Sequence, residues 1–460
     1  MKDFLVIVVA FFFFGCTKQN EWLDAKRQES DVVPTTLEDF QAILNNTILM
    51  NSSYPSIGLL GCDNYYYADE TINSLNSISK NSYFWNKEIF EGQNSSDYSN
   101  SYNIIAAANI ILERLEPERF PNNQVEVNNI KGQALFFRAM IFSELASAFC
   151  KPYIRSTATT DLGICMRLKS DIYHIEPRST VQKTYEQITE DLKKAADLLS
   201  VASLYKNRPI KPAAFALLAR IYLLMDDYAL AKNYADSSLH YSNKLLDFNS
   251  GEVTLARPYR FPAFTETNSE ILFYATGVGH VAIVPDEAFN LSQVDSLLYK
   301  SYDDNDLRRT YYYNRDASNR IKFRGTYAGA GKIFSGLATN EVYFIRAECN
   351  ARIGNLELAL KDLNKVLMNR YKQGSYVDFF TNDEEALLKK ILEERRKEFP
   401  FTGQIRWQDL RRLNRDARFA TTLYRKSFGM TYELLPNDRK YIYPLPQREI
   451  DESGVQQNER

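Results

Sequence analysis

Histidine is scarce: three in 460 residues, His174, His240 and His280, far apart and in no ligand spacing. A histidine-based metal centre, or acyl transfer through a histidine base, is left without support. Cysteine is scarce too. Beyond Cys16, the four residues Cys62, Cys150, Cys165 and Cys349 show no metal-ligand spacing and read as buried thiols, with a Cys150–Cys165 disulfide left open. Charge of one sign is missing as well, since 56 basic residues face 58 acidic ones for a net charge of -2. Phosphate binding needs a concentrated basic surface, so nucleic acid is not an expected partner. After residue 16 no stretch is apolar enough to span a bilayer. The glycines from Gly325 to Gly336 match neither a Walker loop nor a dinucleotide fingerprint, so no cofactor is implied. Glu393, Glu394 and Glu398 could suggest a glycosidase carboxylate pair. Glu394 and Glu398, however, sit one helical turn apart with Arg395 and Lys397 between them, a spacing typical of ion pairs.

What is present is a chain with 45% hydrophobic and 25% charged residues, long enough for a large core, and carrying 30 Tyr and 28 Phe. Tyrosine combines a flat apolar face with a hydroxyl, which suits carbohydrate or peptide contact, although helical repeats also bury many tyrosines. Residues 1–16 read as a targeting segment: Lys2, an apolar run from Leu5 to Phe14, then Gly15 before Cys16. Its pattern looks like a bacterial lipoprotein signal with Cys16 as the lipidated residue; a cleaved signal without lipid is the alternative. Residues 17–33 read as a polar tether, and 34–460 as one domain.

Periodicity gives the fold class. In residues 340–370, Tyr343, Phe344, Ala347, Leu356, Ala359, Leu360, Leu363 and Val366 recur at helical spacing around a break at Gly354-Asn355. The order aromatic, small, breaker, large apolar, small is tetratricopeptide spacing. It returns upstream with Phe215, Leu218, Ala219, Tyr222, Tyr228, Ala231 and Ala235 around Asp226-Asp227. The expectation is a mainly α, tetratricopeptide-like scaffold over about 98–246 and 337–415, with Ala219 and Ala347 at close helix crossings. Between them, about 247–336 reads as an inserted loop-rich lobe with a short strand at Asn268–Phe273. At the N-terminal end, Thr36 and Asp39 form a capping-box-like helix start. Residues 52–90, rich in Ser, Asn and Tyr, read as an irregular surface segment resisting helix.

With these elements placed, the chain resembles the SusD/RagB outer-membrane lipoproteins over essentially its whole length. The carriers are Cys16, Arg138-Ala139, LLARIYL with Tyr228 and Ala231, Asn268-Ser269-Glu270, Asp306 with Arg308, IRAECNARIG, and EERRKEF leading to Arg406-Trp407 and Asp409-Leu410. The closing Tyr443-Pro444-Leu445-Pro446 with Glu449-Ile450 completes the set. Pro400 and the spacing before Arg406 depart from the pattern. The resemblance implies a noncatalytic, lipid-anchored binding protein facing the cell exterior. It would capture an oligosaccharide or other nutrient, such as a peptide, and pass it to a SusC-like TonB-dependent outer-membrane transporter. It carries over no ligand residue. A secreted glycan-degrading enzyme and a scaffold binding only protein partners remain as alternatives. From the residues themselves, Trp85, then Tyr67, Tyr65 and Tyr83, are the candidate ligand contacts. The segment Tyr65 to Trp85 and the lobe from Thr276 to Gly336 are expected to meet on one side and form a shallow aromatic platform; the alternative is that these rings cover the first helices.

Overall fold

The computed structural model describes residues 34–460 apart from 172, 265, 267, 281, 282 and 287; the lipidation expected at Cys16 and the tether lie outside the described residues. Ten helices of nine or more residues occur among the described residues. They are α1 (Leu37–Asn45), α2 (Ser96–Arg114), α3 (Gln124–Phe149), α4 (Val181–Leu198), α5 (Lys211–Leu224), α6 (Tyr228–Tyr241), α7 (Thr339–Arg352), α8 (Leu356–Met368), α9 (Glu384–Glu398) and α10 (Ile405–Leu413). The strands are short: β1 (Tyr65–Tyr66), β2 (Leu162–Cys165), β3 (Arg178–Thr180), β4 (Ile271–Phe273), β5 (Gln293–Val294), β6 (Tyr313–Arg315), β7 (Ile321–Phe323), β8 (Leu337–Ala338), β9 (Leu423–Ser427) and β10 (Met430–Leu434). They form antiparallel pairs β1–β5, β2–β3, β4–β8, β6–β7 and β9–β10.

The α1 start follows its sequence signal. Thr36 Oγ1 accepts from Asp39 N at 3.1 Å, and Asp39 Oδ2 accepts from Thr36 N at 3.0 Å, a full capping box. Helices α2 to α8 then stack in chain order, each against the next, and α7 also packs on α5 and α9. Helix α3 is apolar nearly all round and buried along most of its length, as a helix surrounded by neighbours must be. The repeated turn needs one left-handed residue to close each helix. Gly354 supplies it between α7 and α8 at φ 82°, and Asp226 stands in the same role after α5 at φ 58°. Arg346 on α7 locks the second repeat to the first, donating to Asp362 on α8 at 2.7 Å and to Asp236 on α6 at 2.9 Å.

Ala219 and Ala347 are fully buried in this stack, in line with their expected place at helix crossings. Replacing Ala347 by Leu is expected to overpack α7 against its neighbours and to lower stability by about 1–3 kcal/mol. Chemical denaturation measures it, and an unchanged midpoint would contradict the crossing.

The insertion between α6 and α7 does not break the stack, because it leaves and returns at one place. Strand β4 pairs with β8, and Thr339 N donates to Glu270 O at 2.8 Å. Below that junction lies a lattice of ion pairs. Arg308 meets Asp306 at 2.6 Å, Glu394 at 2.5 Å and Glu398 at 3.2 Å, and Arg370 meets Glu270 at 2.7 Å and Glu398 at 2.8 Å, all six side chains being fully buried. Lys390 and Lys397 add two cations at Glu394, so four carboxylates face four cations. These are the Asp306, Arg308, Glu270 and EERRKEF positions that the sequence singles out, and the Glu394–Glu398 pair is thus engaged in ion pairing within the fold.

The structure departs from one expectation and closes one point that the sequence leaves open. Residues 52–90 are not free of helix: short helices run over Gly58–Gly61, Asp69–Ile72 and Ser77–Tyr83. Asn76 caps the last, its Oδ1 accepting from Ser79 N at 2.8 Å, and burial of Tyr83 fixes it from inside. Cys150 and Cys165 are not joined, and all four described cysteines are free and buried. Burial pushes the Cys165 and Cys62 thiols up to about 11, so they behave as small apolar side chains.

Candidate functional site

The segment carrying Tyr65 to Trp85 and the lobe do meet. Strand β1 pairs with β5, Tyr65 opposite Val294 and Tyr66 opposite Gln293, and Tyr54 bridges to Gly277. The meeting does not expose the four rings expected there. Trp85 is 1% exposed, and Tyr65, Tyr67 and Tyr83 are equally buried. Trp85 Nε1 donates to Gly61 O at 2.9 Å, Tyr65 OH to Leu60 O at 2.7 Å, and Tyr67 N to the Tyr83 hydroxyl at 3.2 Å. Burial holds the Tyr65 and Tyr67 phenols above their ordinary range.

The lid over these rings comes from far along the chain. On the β9–β10 hairpin, Arg425 points inward, its guanidinium 4.3 Å from the Tyr83 ring centre, 5.2 Å from Tyr65 and 5.3 Å from Trp85. Its Nη1 donates to Tyr65 O at 2.5 Å and its Nη2 to Cys62 O. The four aromatics form a core that seats the hairpin, and a ligand platform has to be built from what the hairpin leaves outside.

That outside is a cleft of about 550 Å³ walled by three elements. One wall is the short helix Ser296–Lys300 with its flanks, giving Asp295, Leu297 and Ser301; the second is α9, giving Lys390, Glu393, Arg396 and Lys397; the third is the start of β9, giving Thr421, Thr422 and Tyr424. Asp63 lies between them. Tyr424 is 61% exposed, and Leu297 stands out into solvent as well.

Each wall is positioned by identifiable contacts. Gly58 and Gly61, just before Asp63, lie against the Trp407 indole of α10, where an added Cβ would come within 2.7 to 2.8 Å of ring atoms. Only glycine lets that backbone sit so close. Asp63 is then gripped by Arg406, Nε to Oδ1 at 2.7 Å and Nη2 to Oδ2 at 2.8 Å, and by Arg396 Nη1. Burial opposes the Asp63 charge, but Arg396 and Arg406 outweigh it and hold the carboxyl well below the usual range. Asp295 N donates to Asn64 O at 2.9 Å, and Asp295 Oδ1 caps Leu298 N at 2.8 Å, fixing the first wall. On α9, Lys390 and Lys397 reach Glu394 at 2.9 and 2.5 Å. Burial, then the neighbouring Arg308, lowers the Lys397 ammonium, while Glu394, despite burial, is brought to about 2 chiefly by Arg308 and Lys397.

The arrangement joins an exposed ring, an apolar side chain and a polar rim of both signs. Carboxylates at Asp295 and Glu393 accept hydrogen bonds, ammonium and guanidinium groups donate them, and the ring offers a flat apolar face. That mixture matches a polyhydroxylated ring compound better than a single ion. Among the described residues no group of three or more His, Cys, Asp or Glu side chains could hold a metal ion. Tyr424, Leu297 and Asp295 were not singled out from sequence. The β9 sequence does not announce Tyr424, because its buried side is Leu423, Arg425 and Ser427 and its exposed side Tyr424 and Lys426, which is no apolar alternation, and Gly429 is the one turn residue in the loop.

Helical repeats carrying a looped lobe, with a cleft where the lobe meets the N-terminal segment and a C-terminal hairpin, define a class of scaffold. Comparison with known proteins specifies it. Residues 21–223 match a family model described as SusD-like, starch-binding associating with outer membrane, and residues 300–459 match the SusD family model. The chain belongs to the SusD/RagB family. It is 26% identical over 418 residues to SusD-like protein P2 of Formosa agariphila, covering 78% of each. Among solved structures it superposes on a SusD superfamily protein of Bacteroides thetaiotaomicron with a TM-score of 0.74 at 22% identity, over 93% of this chain and 100% of the other. A SusD-like carbohydrate binding protein of Bacteroides vulgatus gives 0.67 at 19%, over 92% and 97%.

Proposed function

We propose that this protein is a noncatalytic, lipid-anchored binding protein of the outer-membrane surface. It captures an oligosaccharide in the cleft between α9, Asp295–Ser301 and β9, and passes it to a SusC-like TonB-dependent transporter. The observation that carries this reading is the cleft itself, with the exposed Tyr424 ring over a rim of Asp295, Glu393, Lys390 and Arg396. A ring face that stacks and a rim that donates and accepts is the usual chemistry of sugar recognition. The family model's description as starch-binding and the carbohydrate-binding relative support a saccharide over a peptide. No helix of the described residues is long and apolar enough to cross a membrane, which agrees with attachment through Cys16. In this reading residues 1–16 are the signal segment, 17–33 the tether, and 34–460 the binding domain.

A glycan array and a peptide library, both applied to protein lacking residues 1–16, test it. Binding to one saccharide class without turnover is expected. Retention of peptides alone, or cleavage of a bound oligosaccharide, would contradict it.

A further inference from the structure

The tip of the β9–β10 hairpin has the wrong residue for its backbone. The loop is two residues long, Ser427 pairing with Met430, and both loop residues have positive φ, 49° at Phe428 and 75° at Gly429. Such a turn favours Asn-Gly, because asparagine tolerates the left-handed region and a bulky aromatic does not. Phe428 is nonetheless there, and 52% of its surface is exposed, so packing does not compensate for the strain. The turn is held from below instead. Asp69 Oδ1 accepts from Ser427 Oγ at 2.6 Å and Asp69 Oδ2 from Phe428 N at 2.9 Å. Trp85, the other aromatic with positive φ, at 55°, is fully buried, so Phe428 is the strained aromatic that stands in solvent, and strain held at an exposed ring points to a contact.

Strand parity places the residues between this turn and the cleft. Along β9 the buried residues are Leu423, Arg425 and Ser427, and the exposed ones are Tyr424 and Lys426. Phe428 stands in the turn beyond the end of the strand, and its ring is exposed as well. Tyr424 lines the cleft, so the outer face of β9 carries a ring and an ammonium in a row leading out of it, with the exposed Phe428 ring at the hairpin tip beyond them.

We infer that Tyr424, Lys426 and Phe428 form a track along which an oligosaccharide continues beyond the cleft, with Phe428 stacking on a sugar several units from the one at Tyr424. The inference rests on the cleft as the saccharide site and adds the part of this chain's surface over which the oligosaccharide runs on beyond it. The continuity of the row with the cleft favours a glycan over a protein partner as the occupant.

The test uses Phe428→Asn, which removes the ring and gives the turn its preferred residue. Short and long members of the malto-, cello-, xylo- and manno-oligosaccharide series are titrated calorimetrically into wild type, Phe428→Asn and Tyr424→Ala. For the series that binds, wild-type affinity rises with chain length. Phe428→Asn melts about 1–2 °C higher, binds the short member unchanged, and loses about three- to tenfold on the long one. Tyr424→Ala weakens both. No binding of any series to wild type would overturn the cleft reading and the track with it. Binding weakened by Tyr424→Ala with equal length dependence in Phe428→Asn would overturn the track alone, as would unchanged sugar binding with weaker docking to the transporter.

Discussion

Arg370→Met is expected to destabilise the domain by about 3–5 kcal/mol, the cost of stripping buried carboxylates of their counter-ion. Arg370 is fully buried and donates through every nitrogen: Nε to Glu398 at 2.8 Å, Nη1 to Leu246 O at 2.7 Å, and Nη2 to Glu270 at 2.7 Å. Its guanidinium also lies 4.3 Å from the Phe248 ring centre. Methionine fills much of the volume and satisfies none of these acceptors. Burial already raises the Glu270 carboxyl, with Arg370 as its main opposing influence, so removing Arg370 should leave Glu270 protonated and Glu398 dependent on Arg308. Arg370→Lys should fall between, because an ammonium cannot fork to two carboxylates. Arg439→Met, which breaks an exposed pair with Glu459, is the control and should have little effect. Denaturant titration of the three variants reads the result. A loss at Arg370 no larger than at Arg439 would mean that the lattice does not hold the lobe to the helices.

Tyr424→Ala carries the second large effect: a fall of about tenfold or more in affinity for the saccharide found by screening, with the fold intact. The melting midpoint should barely move, since the ring is mostly exposed and its strand is seated by Leu423, Arg425 and Ser427 on the opposite face. Trp85→Ala should do the reverse. It removes a buried indole from the cluster that supports Arg425, lowering stability first and ligand binding only as a consequence. The two variants therefore separate a contact from its foundation, and isothermal titration beside a thermal melt distinguishes them.

The scaffold was legible because its signals are local. Tyr343, Ala347, Gly354 and Ala359 sit within a few helical turns of one another, and the same holds for Thr36 with Asp39; such spacings survive without knowledge of the rest of the chain. The EERRKEF charges were legible as ion pairs for the same reason, although their partners Arg308 and Arg370 were not assigned to them. The site was not legible, because exposure is decided by what covers a residue. Trp85 and Tyr67 sit in a Ser/Asn-rich segment that looks like surface, and the chain that buries them is more than 300 residues away at Arg425. That the segment would meet the lobe followed from neither having a periodic partner; that the meeting would bury the rings and open a cleft beside them needed the hairpin. The hairpin itself is not announced by apolar alternation, because LYRKS buries Arg425 and Ser427 and exposes Tyr424.

The cleft, and not the buried tyrosine cluster or the helical face, is the proposed seat of the saccharide. A crystal structure of the protein with the best-bound oligosaccharide tests this most directly. The predicted result is a sugar ring stacked on Tyr424 with its hydroxyls bonded to side chains among Asp295, Glu393, Lys390 and Arg396. A saccharide bound elsewhere on the molecule, with Tyr424 free in solvent, would contradict it.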